Sequence, residues 1–516
     1  MLSFLRRDWP AAALVLLTAV FIVPLWCVSS PGMPDYPAHL AGFHLIADGG
    51  SPYYGVKWLL LPNLASEALV PLFARLMPLE AAAKLFVSLA VAMWALGPAL
   101  IQRALTGKIG AAVLAAALFA YNANFTWGFF NYYFASGLSF LIFAAWIATA
   151  GRRRPWTLAG FALAVFALYL CHLFAVCLLA VLIGVFELSA LLRAKDFAPR
   201  ALFARLAPVV AIFLPAVLIF VAFRASGGAG GGIEFNYADT IDDRFASAIQ
   251  WSFSEPAYLV IGGLAILILA GLVYGKLRLH PAMKLTVLAL AVLALVSPEW
   301  ALGGWGVDLR LPAVLGAVTF AAMEPRLGKG WTAVAAAAAF LVGSSNAALL
   351  TQDWRARDRQ YAEFRAALRE LPQGVRLFTV LDGDALGDIS DQPYWHMAEF
   401  AILDRSGFTP LMFATKGQHV IRLKPPYDKL AAVTAQQGSP PDVTELSDLA
   451  LGRDQNDPDI DEVFPYLKYF QCHFDAAVVV HGGGEQADVP DFMSLRHAGS
   501  FFSIYDIHPT RRCKRL

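Results

Sequence analysis

Residues 31–40, with the sequence PGMPDYPAHL, contain the side chain best suited to acid–base chemistry. Asp35 lies between two prolines, and Pro37 suits the first position of a helix that would continue to Ala47. The positive end of such a helix favours the charged form of a carboxylate just before it. This arrangement predicts that Asp35 is a general base that accepts a proton. Asp35 is equally suited to capping the helix, and the sequence leaves both interpretations open.

Two histidines are candidates for the same site. His39 lies four residues after Asp35, although the role of an interfacial aromatic residue with its polar edge in water is favoured for it. His172 lies between two apolar segments, where a polar ring is costly unless it faces a cavity or a partner. Lining a functional cavity and a purely structural role are equally open for His172.

Residues 121–133 combine aromatic side chains with three asparagines. The aromatic residues are typical of the belt that membrane proteins place at the headgroup level. Three asparagines so near the hydrocarbon exceed what a belt requires. Asn122, Asn124 and Asn131 are therefore candidates for hydrogen bonds to a polyol, beside the alternative that they belong to the belt.

A cation near the start of a predicted span is the candidate partner of a phosphate. Arg310 lies in the stretch GGWGVDLRLP, and its position beside the lipid surface suits a lipid-borne phosphate. Pairing of Arg310 with Asp308 or Glu299 is the alternative. Lys57 is a second candidate cation, whereas Arg244, beside two aspartates, is expected to be structural.

The elements that position these residues are membrane helices. Of the 516 residues, 58% are hydrophobic and 15% are charged, and the mean hydropathy is +0.56. These values exclude an ordinary soluble protein. Runs of about 20 apolar residues predict eleven spans, at residues 9–27, 80–102, 109–122, 132–149, 155–171, 173–192, 204–223, 256–274, 281–298, 308–324 and 331–350.

The charges orient these spans. The net charge of +1 gives no reason to expect a nucleic acid partner. Residues 1–351 contain 22 basic and 15 acidic residues, and 16 of the basic residues fall on one side of the predicted spans. Because cytoplasmic loops accumulate Lys and Arg, we expect a cytoplasmic N-terminus and a C-terminal domain, residues 352–516, outside the cytoplasm.

Three segments modify this scheme. The first external loop, residues 29–79, includes an interrupted apolar stretch at 57–78, which predicts a helix along the outer membrane surface. Residues 156–192 predict a tight hairpin of two spans with Cys171 and His172 at its outer tip. The glycine-rich residues 226–232 follow no strand and lack the Lys-Ser/Thr of a phosphate-binding loop, so they predict a mobile loop.

The C-terminal residues predict a small α/β domain. A polar helix at 353–371 precedes a strand at 375–381, and a helix at 463–470 precedes a strand at 476–480. The HGGG sequence at 481–484 is interpreted as a turn, because a nucleophile elbow is absent from the sequence. Cys472 and Cys513 would be able to form a disulfide in an oxidising compartment, and no Cys/His cluster has structural zinc spacing.

The layout resembles the GT-C class of membrane glycosyltransferases, within it the group of protein O-mannosyltransferases and aminoarabinose transferases. Beyond the layout, the resemblance rests on the sequences PDYPAHL at 34–40, YLCH at 169–172 and DLRLP at 308–312. It implies an α-helical polytopic protein of the inner membrane with a periplasmic C-terminal domain. Relatives often have a second acid close to the first, and Tyr36 and Pro37 occupy those places here, so a divalent metal is doubtful.

The resemblance implies transfer of a single sugar, with inversion, from a polyprenyl-phosphate carrier to an envelope acceptor. Asp35 matches the catalytic base, Arg310 is the candidate partner of the donor phosphate, and His172, Lys57 and His39 follow as further candidates. Tyr36 joins the three asparagines as a candidate sugar contact. Asp35, His172 and Arg310 are expected to line one cavity. The alternative is a scaffold without catalytic activity, or a transporter of lipid-linked sugars, in envelope polysaccharide assembly.

Overall fold

The computed structural model describes residues 9–225, 233–234, 241–250, 258–301, 304–386, 392–430, 440–452, 466–483 and 488–514. The chain divides into two compact units. The first comprises Met1–Cys27, Leu60–Ser66 and Lys84–Gln352, and the second comprises Val28–Leu59, Glu67–Ala83 and Asp353–Leu516. The glycine-rich residues 226–232 lie outside the described residues. The second unit thus joins most of the first predicted loop to the C-terminal residues, whereas the sequence grouped that loop with the spans.

Apolar helices dominate the first unit. In the described part of the chain, six helices are long and apolar enough to cross a membrane, namely Trp9–Trp26, Leu79–Thr106, Phe130–Ala148, Leu173–Ala194, Pro199–Phe223 and Lys329–Leu368. Three shorter apolar helices are Pro155–Cys171, Tyr258–Val273 and Pro281–Val296. The fold is that of a multi-pass helical membrane protein, and the count of eleven spans stays a prediction.

Two of the predicted spans contain only short helices. Residues 109–122 form helix Ala112–Ala117 and a 3-10 turn at Leu118–Ala120. Residues 308–324 begin with a 3-10 turn at Asp308–Arg310 and continue as helix Leu311–Ala321. The chain then enters a short strand, Met323–Pro325, which pairs antiparallel with Leu277–Leu279 and ends the helix. The remaining short elements of this unit are helices Ala123–Trp127 and Ile241–Ala246 and the antiparallel strands Ile233–Glu234 and Trp300–Ala301.

The hairpin predicted at 156–192 is present. Helix Pro155–Cys171 ends at His172, and helix Leu173–Ala194 begins at the next residue. His172 has an extended backbone, with φ −168° and ψ 132°, which reverses the chain between the two helices. Its Nδ1 accepts a hydrogen bond of 3.2 Å from the Phe174 amide, so the histidine side chain caps the second helix.

A four-stranded sheet forms the core of the second unit. Its strands lie in the order Leu377–Leu381, Ala476–Val480, Phe502–Ile507 and Met493–Ala498. The first pair is parallel and the other two pairs are antiparallel. Every residue of the first two strands is buried, as the apolar sequence of Ala476–Val480 predicts, and the burial of Leu377–Leu381 includes the polar Thr379. Short helices surround the sheet, at Gly383–Leu386, Phe400–Arg405, Tyr427–Leu430 and Leu446–Ala450.

The first loop contributes regular structure to the second unit. Helix Tyr36–Asp48 ends at Gly49, whose φ of 78° suits a glycine. Strand Tyr54–Val56 pairs antiparallel with Ile421–Leu423 from the C-terminal residues. The surface helix predicted at 57–78 is confined to Ala65–Phe73, because Pro62 and Asn63 precede it in an irregular segment.

The helix of the last predicted span continues past the domain boundary predicted at residues 351–352. Lys329–Leu368 is one helix of 40 residues, and it includes most of the separate polar helix predicted at 353–371. Composition changes from apolar to polar there, but no glycine or proline between residues 344 and 368 breaks the backbone hydrogen bonding. The helix predicted at 463–470 is wrong for residues 466–470, which form turns and the start of a 3-10 helix, while 463–465 lie outside the described residues. Cys472 and Cys513 form a disulfide.

Candidate active site

The segment before Asp35 is fixed by hydrogen bonds and by close packing. The amides of Ser29 and Ser30 donate to the two carboxylate oxygens of Asp358, at 2.9 and 2.8 Å. Gly32 lies so close to helix Lys329–Leu368 that a Cβ atom there would be 2.8 Å from Cδ1 of Trp354. This contact leaves no room for a side chain at position 32. The position of Asp35 is therefore determined by the helix against which its loop packs.

Asp35 occupies the N-cap position of helix Tyr36–Asp48 but does not cap the helix with its side chain. Its carbonyl oxygen accepts a hydrogen bond of 3.0 Å from the His39 amide, whereas the carboxylate makes no cap hydrogen bond. A hydrogen bond from a helix amide to the side-chain carboxylate is the reason why aspartate stabilises helix N-termini. The carboxylate is only 14% exposed. The backbone of Asp35 thus takes part in the start of the helix, whereas capping does not explain the role of its carboxylate.

Asp35 is the first member of a row of three titratable groups. Its Oδ1 lies 3.9 Å from Nε2 of His396, and Nδ1 of His396 lies 3.7 Å from Oε1 of Glu399. Burial raises the pKa of Asp35 to about 6, and the charge of His396 acts to lower it. Burial also acts to lower the pKa of His396, but Glu399, followed by Asp35, raises it above its ordinary value. A carboxyl group whose pKa is raised to about 6 therefore lies beside a histidine whose pKa is raised above its ordinary value.

His39 belongs to an aromatic cluster in the same unit. Its ring stacks on Phe43 at 5.9 Å between centroids and meets the edge of Phe413 at 5.1 Å. Phe413 also contacts the ring of His396 at 4.8 Å and that of His419 at 5.5 Å. His39 and His396 thus contact the same phenylalanine, Phe413.

The other two candidates in the second unit have different environments. The side chain of Tyr36 is fully buried, so it does not present a free surface for a sugar. Lys57 follows strand Tyr54–Val56, its amide donates to the Val420 carbonyl at 2.8 Å, and its side chain is exposed. A contact of either residue with the substrate stays a prediction.

Arg310 is buried among aromatic side chains in the first unit. It is 7% exposed, and its guanidinium lies over three rings, those of Phe129, Tyr132 and Phe174, at 5.7, 5.0 and 4.7 Å. One nitrogen, Nη2, donates to the Trp305 carbonyl at 2.9 Å. Nε and Nη1 have no hydrogen-bond partner within the described residues. A buried guanidinium with unpaired donors is costly unless an anion binds it.

The acids near Arg310 in sequence pair with other groups. The carboxylate of Asp308 lies 3.5 Å from Nε of Arg244, and both side chains are buried. Glu299 accepts a hydrogen bond of 2.7 Å from the indole of Trp305. Arg244 is therefore the structural cation that the sequence predicts. The charge of Asp308 also acts on Arg310, so a local pairing of Arg310 with Asp308 or Glu299 stays an open alternative.

His172 shares two aromatic neighbours with Arg310. Its ring meets Tyr132 edge to face at 5.3 Å and lies 5.7 Å from the ring of Phe174. Arg310 contacts the same two rings, so the structure brings these two predicted residues together. Gly304 borders the guanidinium, since a Cβ there would lie 3.8 Å from Nη1 of Arg310. Asp35 lies in the other unit, and a cavity common to Asp35, His172 and Arg310 stays a prediction.

The three asparagines are buried and bonded within the protein. Asn122 caps helix Ala123–Trp127 by accepting from the Asn124 amide at 3.0 Å. The side chain of Asn124 donates to the Leu309 carbonyl at 3.3 Å. Asn131 accepts from the Ser66 amide at 2.6 Å and donates to the Asn63 carbonyl at 3.3 Å. These bonds explain why polar residues occur here without a sugar, and sugar contacts by these asparagines stay a prediction.

The sequence analysis missed His396 and Glu399. They lie in irregular structure and a 3-10 turn at Met397–Glu399, and neither follows a recognisable motif. The i, i+3 spacing of a histidine and a glutamate was the one available signal, and it is too common to single out a site. Within the described residues, no group of three or more His, Cys, Asp or Glu is placed to hold a metal ion. Independence from metal stays a prediction.

Comparison with solved structures identifies the fold. The chain has the GT-C fold of membrane glycosyltransferases, as the layout of its sequence predicts. ArnT from Cupriavidus metallidurans, solved bound to undecaprenyl phosphate, is similar over 98% of both chains, with a TM-score of 0.52 and 13% identity. The arabinofuranosyltransferase AftD from Mycobacteria aligns with 96% of this chain and 40% of its own, with a TM-score of 0.48 and 16% identity. No family model and no curated protein sequence matches the chain.

Proposed function

We propose that the protein is an inverting glycosyltransferase that moves a single sugar from a polyprenyl-phosphate carrier to an envelope acceptor at the periplasmic membrane face. The observation that carries the proposal is the Asp35 carboxylate, which is buried at a helix N-terminus without capping it. Similarity of the whole chain to ArnT bound to undecaprenyl phosphate supports a lipid-linked donor. The acceptor is a lipid, a glycan or a protein of the envelope.

Asp35 acts as the general base in this proposal. It removes the proton from a hydroxyl group of the acceptor, and the acceptor oxygen attacks the anomeric carbon of the sugar. The bond between this carbon and the phosphate oxygen breaks, and its electron pair leaves with polyprenyl phosphate. Attack from the face opposite the leaving group inverts the anomeric configuration. The proton ends on Asp35, whose pKa of about 6 suits a base at neutral pH.

Arg310 binds the phosphate of the carrier. Its two donors without partners and its ring of aromatic side chains suit an anion attached to a lipid. Negative charge develops on the leaving phosphate as the glycosidic bond breaks, so a fixed cation lowers the barrier. His172, which contacts the same rings, borders this site. No cofactor is assigned to the reaction.

The disulfide between Cys472 and Cys513 supports the proposed location. Disulfides persist in oxidising compartments such as the periplasm and are rare in the cytoplasm. The excess of basic residues on the opposite side of the predicted spans supports the same orientation. The second unit, with Asp35, therefore faces the periplasm in this proposal.

The test compares the envelopes of a deletion strain complemented with different variants. Wild type is expected to restore a product heavier than its precursor by one sugar residue, detected by mass spectrometry of extracted lipids and glycans. Asp35→Asn is expected to lack this product. Asp48→Asn, at the other end of the same helix, is the matched control and is expected to behave as wild type.

Protein levels in the membrane are measured in each strain by immunoblot. Full restoration of the product by Asp35→Asn at normal abundance would contradict the proposed base. Unchanged envelope composition on deletion, together with complementation of a growth or envelope defect by Asp35→Asn, would favour the scaffold.

A further inference from the structure

Asp35 is a carboxylate in a poorly solvated place, and it needs a cation to remain ionised there. Its side chain is 14% exposed. A helix N-terminus lies beside it, but its side chain makes no hydrogen bond to the helix amides. Among the described residues, the cationic side chain within 4 Å of its carboxylate is that of His396. The ionisation of Asp35 therefore depends on whether His396 is itself protonated.

Glu399 favours the protonated form of His396. Glu399 is fully buried, and its Oε1 lies 3.7 Å from Nδ1 of His396. The same oxygen accepts a hydrogen bond of 3.2 Å from the hydroxyl of Thr409. Oε2 of Glu399 has no hydrogen-bond partner within the described residues. A buried carboxylate satisfied on one oxygen alone is stable only with a cation beside it, which His396 supplies.

The backbone of Thr409, whose hydroxyl donates to Glu399, is fixed by Tyr54. The hydroxyl of Tyr54 donates to the Thr409 carbonyl at 2.7 Å and accepts from the Thr409 amide at 3.0 Å. Tyr54 belongs to the strand that joins the first loop to the C-terminal residues. Contacts between the first loop and the C-terminal residues therefore fix both the segment before Asp35 and the residue that donates to Glu399.

We propose that His396 is a positioning residue for the reaction: held as an imidazolium by Glu399, it keeps the carboxylate of Asp35 ionised and oriented as the base. The first loop thereby supplies the base, Asp35, and the C-terminal residues supply His396 and Glu399, which keep it ionised. The catalytic part of this inference rests on the proposed function, in which Asp35 is the base. The pairing of charges that it describes is measurable without any transfer reaction.

The other titratable groups around this row do not replace His396. Burial raises the pKa of Tyr54 and of Tyr466, which face Glu399, so both hydroxyls stay neutral at physiological pH. His39 and His419 approach His396 through the shared ring of Phe413. Burial and the charge of Arg422 lower the pKa of His419 to about 4, so this histidine is neutral.

The first measurement is an infrared titration of Asp35 in the full-length protein in nanodiscs. The carbonyl band of protonated Asp35 is assigned by its absence from Asp35→Asn. Its midpoint is expected near pH 6 in wild type and about one to three pH units higher in His396→Gln, from the loss of one charge at 3.9 Å. His497→Gln is the matched control. His497 lies on the edge strand Met493–Ala498, and its Nδ1 is 3.2 Å from Oε1 of Glu370, so it is also a histidine beside a carboxylate.

The second measurement follows His396 by nitrogen NMR of protein labelled at histidine, with the signal assigned by its loss in His396→Gln. The midpoint of His396 is expected to fall in Asp35→Asn and to fall further in Glu399→Gln, because Glu399 is the stronger of its two acidic neighbours. This titration does not require that His396→Gln be active. His396→Lys, which retains a cation, is expected to return the Asp35 midpoint towards that of wild type.

The proposal is overturned if the Asp35 midpoint is the same in wild type and His396→Gln, or if the His396 midpoint is unaffected by Glu399→Gln. Once the donor is known, the acidic limb of the transfer rate is expected to shift with the Asp35 midpoint. Shifted midpoints without any Asp35-dependent product would refute the proposed function and leave the charge pairing intact. An Asp35-dependent product with unshifted midpoints would refute the role of His396 alone.

Discussion

Replacement of Arg310 by glutamine is expected to weaken binding of undecaprenyl phosphate without unfolding the protein. The guanidinium is buried, and its Nε and Nη1 have no partner within the described residues. Asp308 pairs with Arg244, and Glu299 accepts from Trp305, so the substitution leaves neither acid without a bonded partner. Removing a buried charge whose Nε and Nη1 make no hydrogen bond within the described residues relieves a cost of desolvation.

The magnitude follows from the two unpaired donors. A hydrogen bond between a charged donor and an acceptor contributes about 1.5–3 kcal/mol. Two such bonds to a phosphate correspond to about 3–6 kcal/mol, or an affinity about 100- to 20,000-fold lower in Arg310→Gln. Arg310→Lys retains the charge but loses the paired geometry, so a loss of about tenfold is expected.

Binding is measured by titrating undecaprenyl phosphate into purified protein in nanodiscs, and stability by thermal unfolding of the same samples. Lys57→Gln is the comparison variant, because Lys57 is the second candidate cation and its side chain is exposed. Arg244→Gln is the contrasting variant. It leaves Asp308 buried without Arg244 and is expected to destabilise the protein by about 3–5 kcal/mol.

Affinity of Arg310→Gln within threefold of wild type would refute the assignment of the phosphate site. A larger loss in Lys57→Gln than in Arg310→Gln would move that site to Lys57. Unfolding of Arg310→Gln at a much lower temperature than wild type would show that Arg310 has a structural role instead.

Three further predictions concern the second unit. Gly32→Ala is expected to destabilise the protein by about 1–3 kcal/mol, because the added Cβ would lie 2.8 Å from Cδ1 of Trp354; equal thermal stability to wild type would contradict this. Cys472→Ser is expected to cost about 4 kcal/mol, since the disulfide with Cys513 spans a sequence separation of 41, and intact-mass analysis after alkylation should find no free thiol at either position in wild type. Transfer is expected to increase as the pH rises through about 6, where Asp35 loses its proton, and a rate that is constant from pH 5 to 8 would contradict the base.

Local patterns predicted much of the fold. The apolar run at 156–192 predicted a hairpin with His172 at its tip, since a polar ring between apolar stretches is costly except at a turn or cavity. The strands at 377–381 and 476–480 followed from sequences that are apolar except for Thr379. The proline after Asp35 predicted a helix start, which the structure has at Tyr36. Each of these depends on neighbours within about ten residues of one another.

The rest depends on contacts between distant parts of the chain. His396 lies 3.9 Å from Asp35 but 361 positions later in the sequence, and no spacing rule connects them. The aromatic side chains around Arg310 likewise come from two other parts of the chain, Phe129 and Tyr132 at the start of helix Phe130–Ala148 and Phe174 at the start of helix Leu173–Ala194. The sequence likewise did not show the hydrogen bonds of Asn131 and Asn124 to the backbone of Ser66 and Leu309, which are remote in sequence.

The most direct test of the proposed function is the rate of sugar transfer by Asp35→Asn in proteoliposomes, measured with the polyprenyl-phosphate sugar that the envelope comparison identifies. The substitution is expected to reduce the single-turnover rate by about 100- to 10,000-fold, the range typical of a general base. Binding of undecaprenyl phosphate should remain within threefold of wild type, because Arg310 is intact. A transfer rate close to that of wild type in Asp35→Asn would contradict the proposal that this carboxylate is the catalytic base.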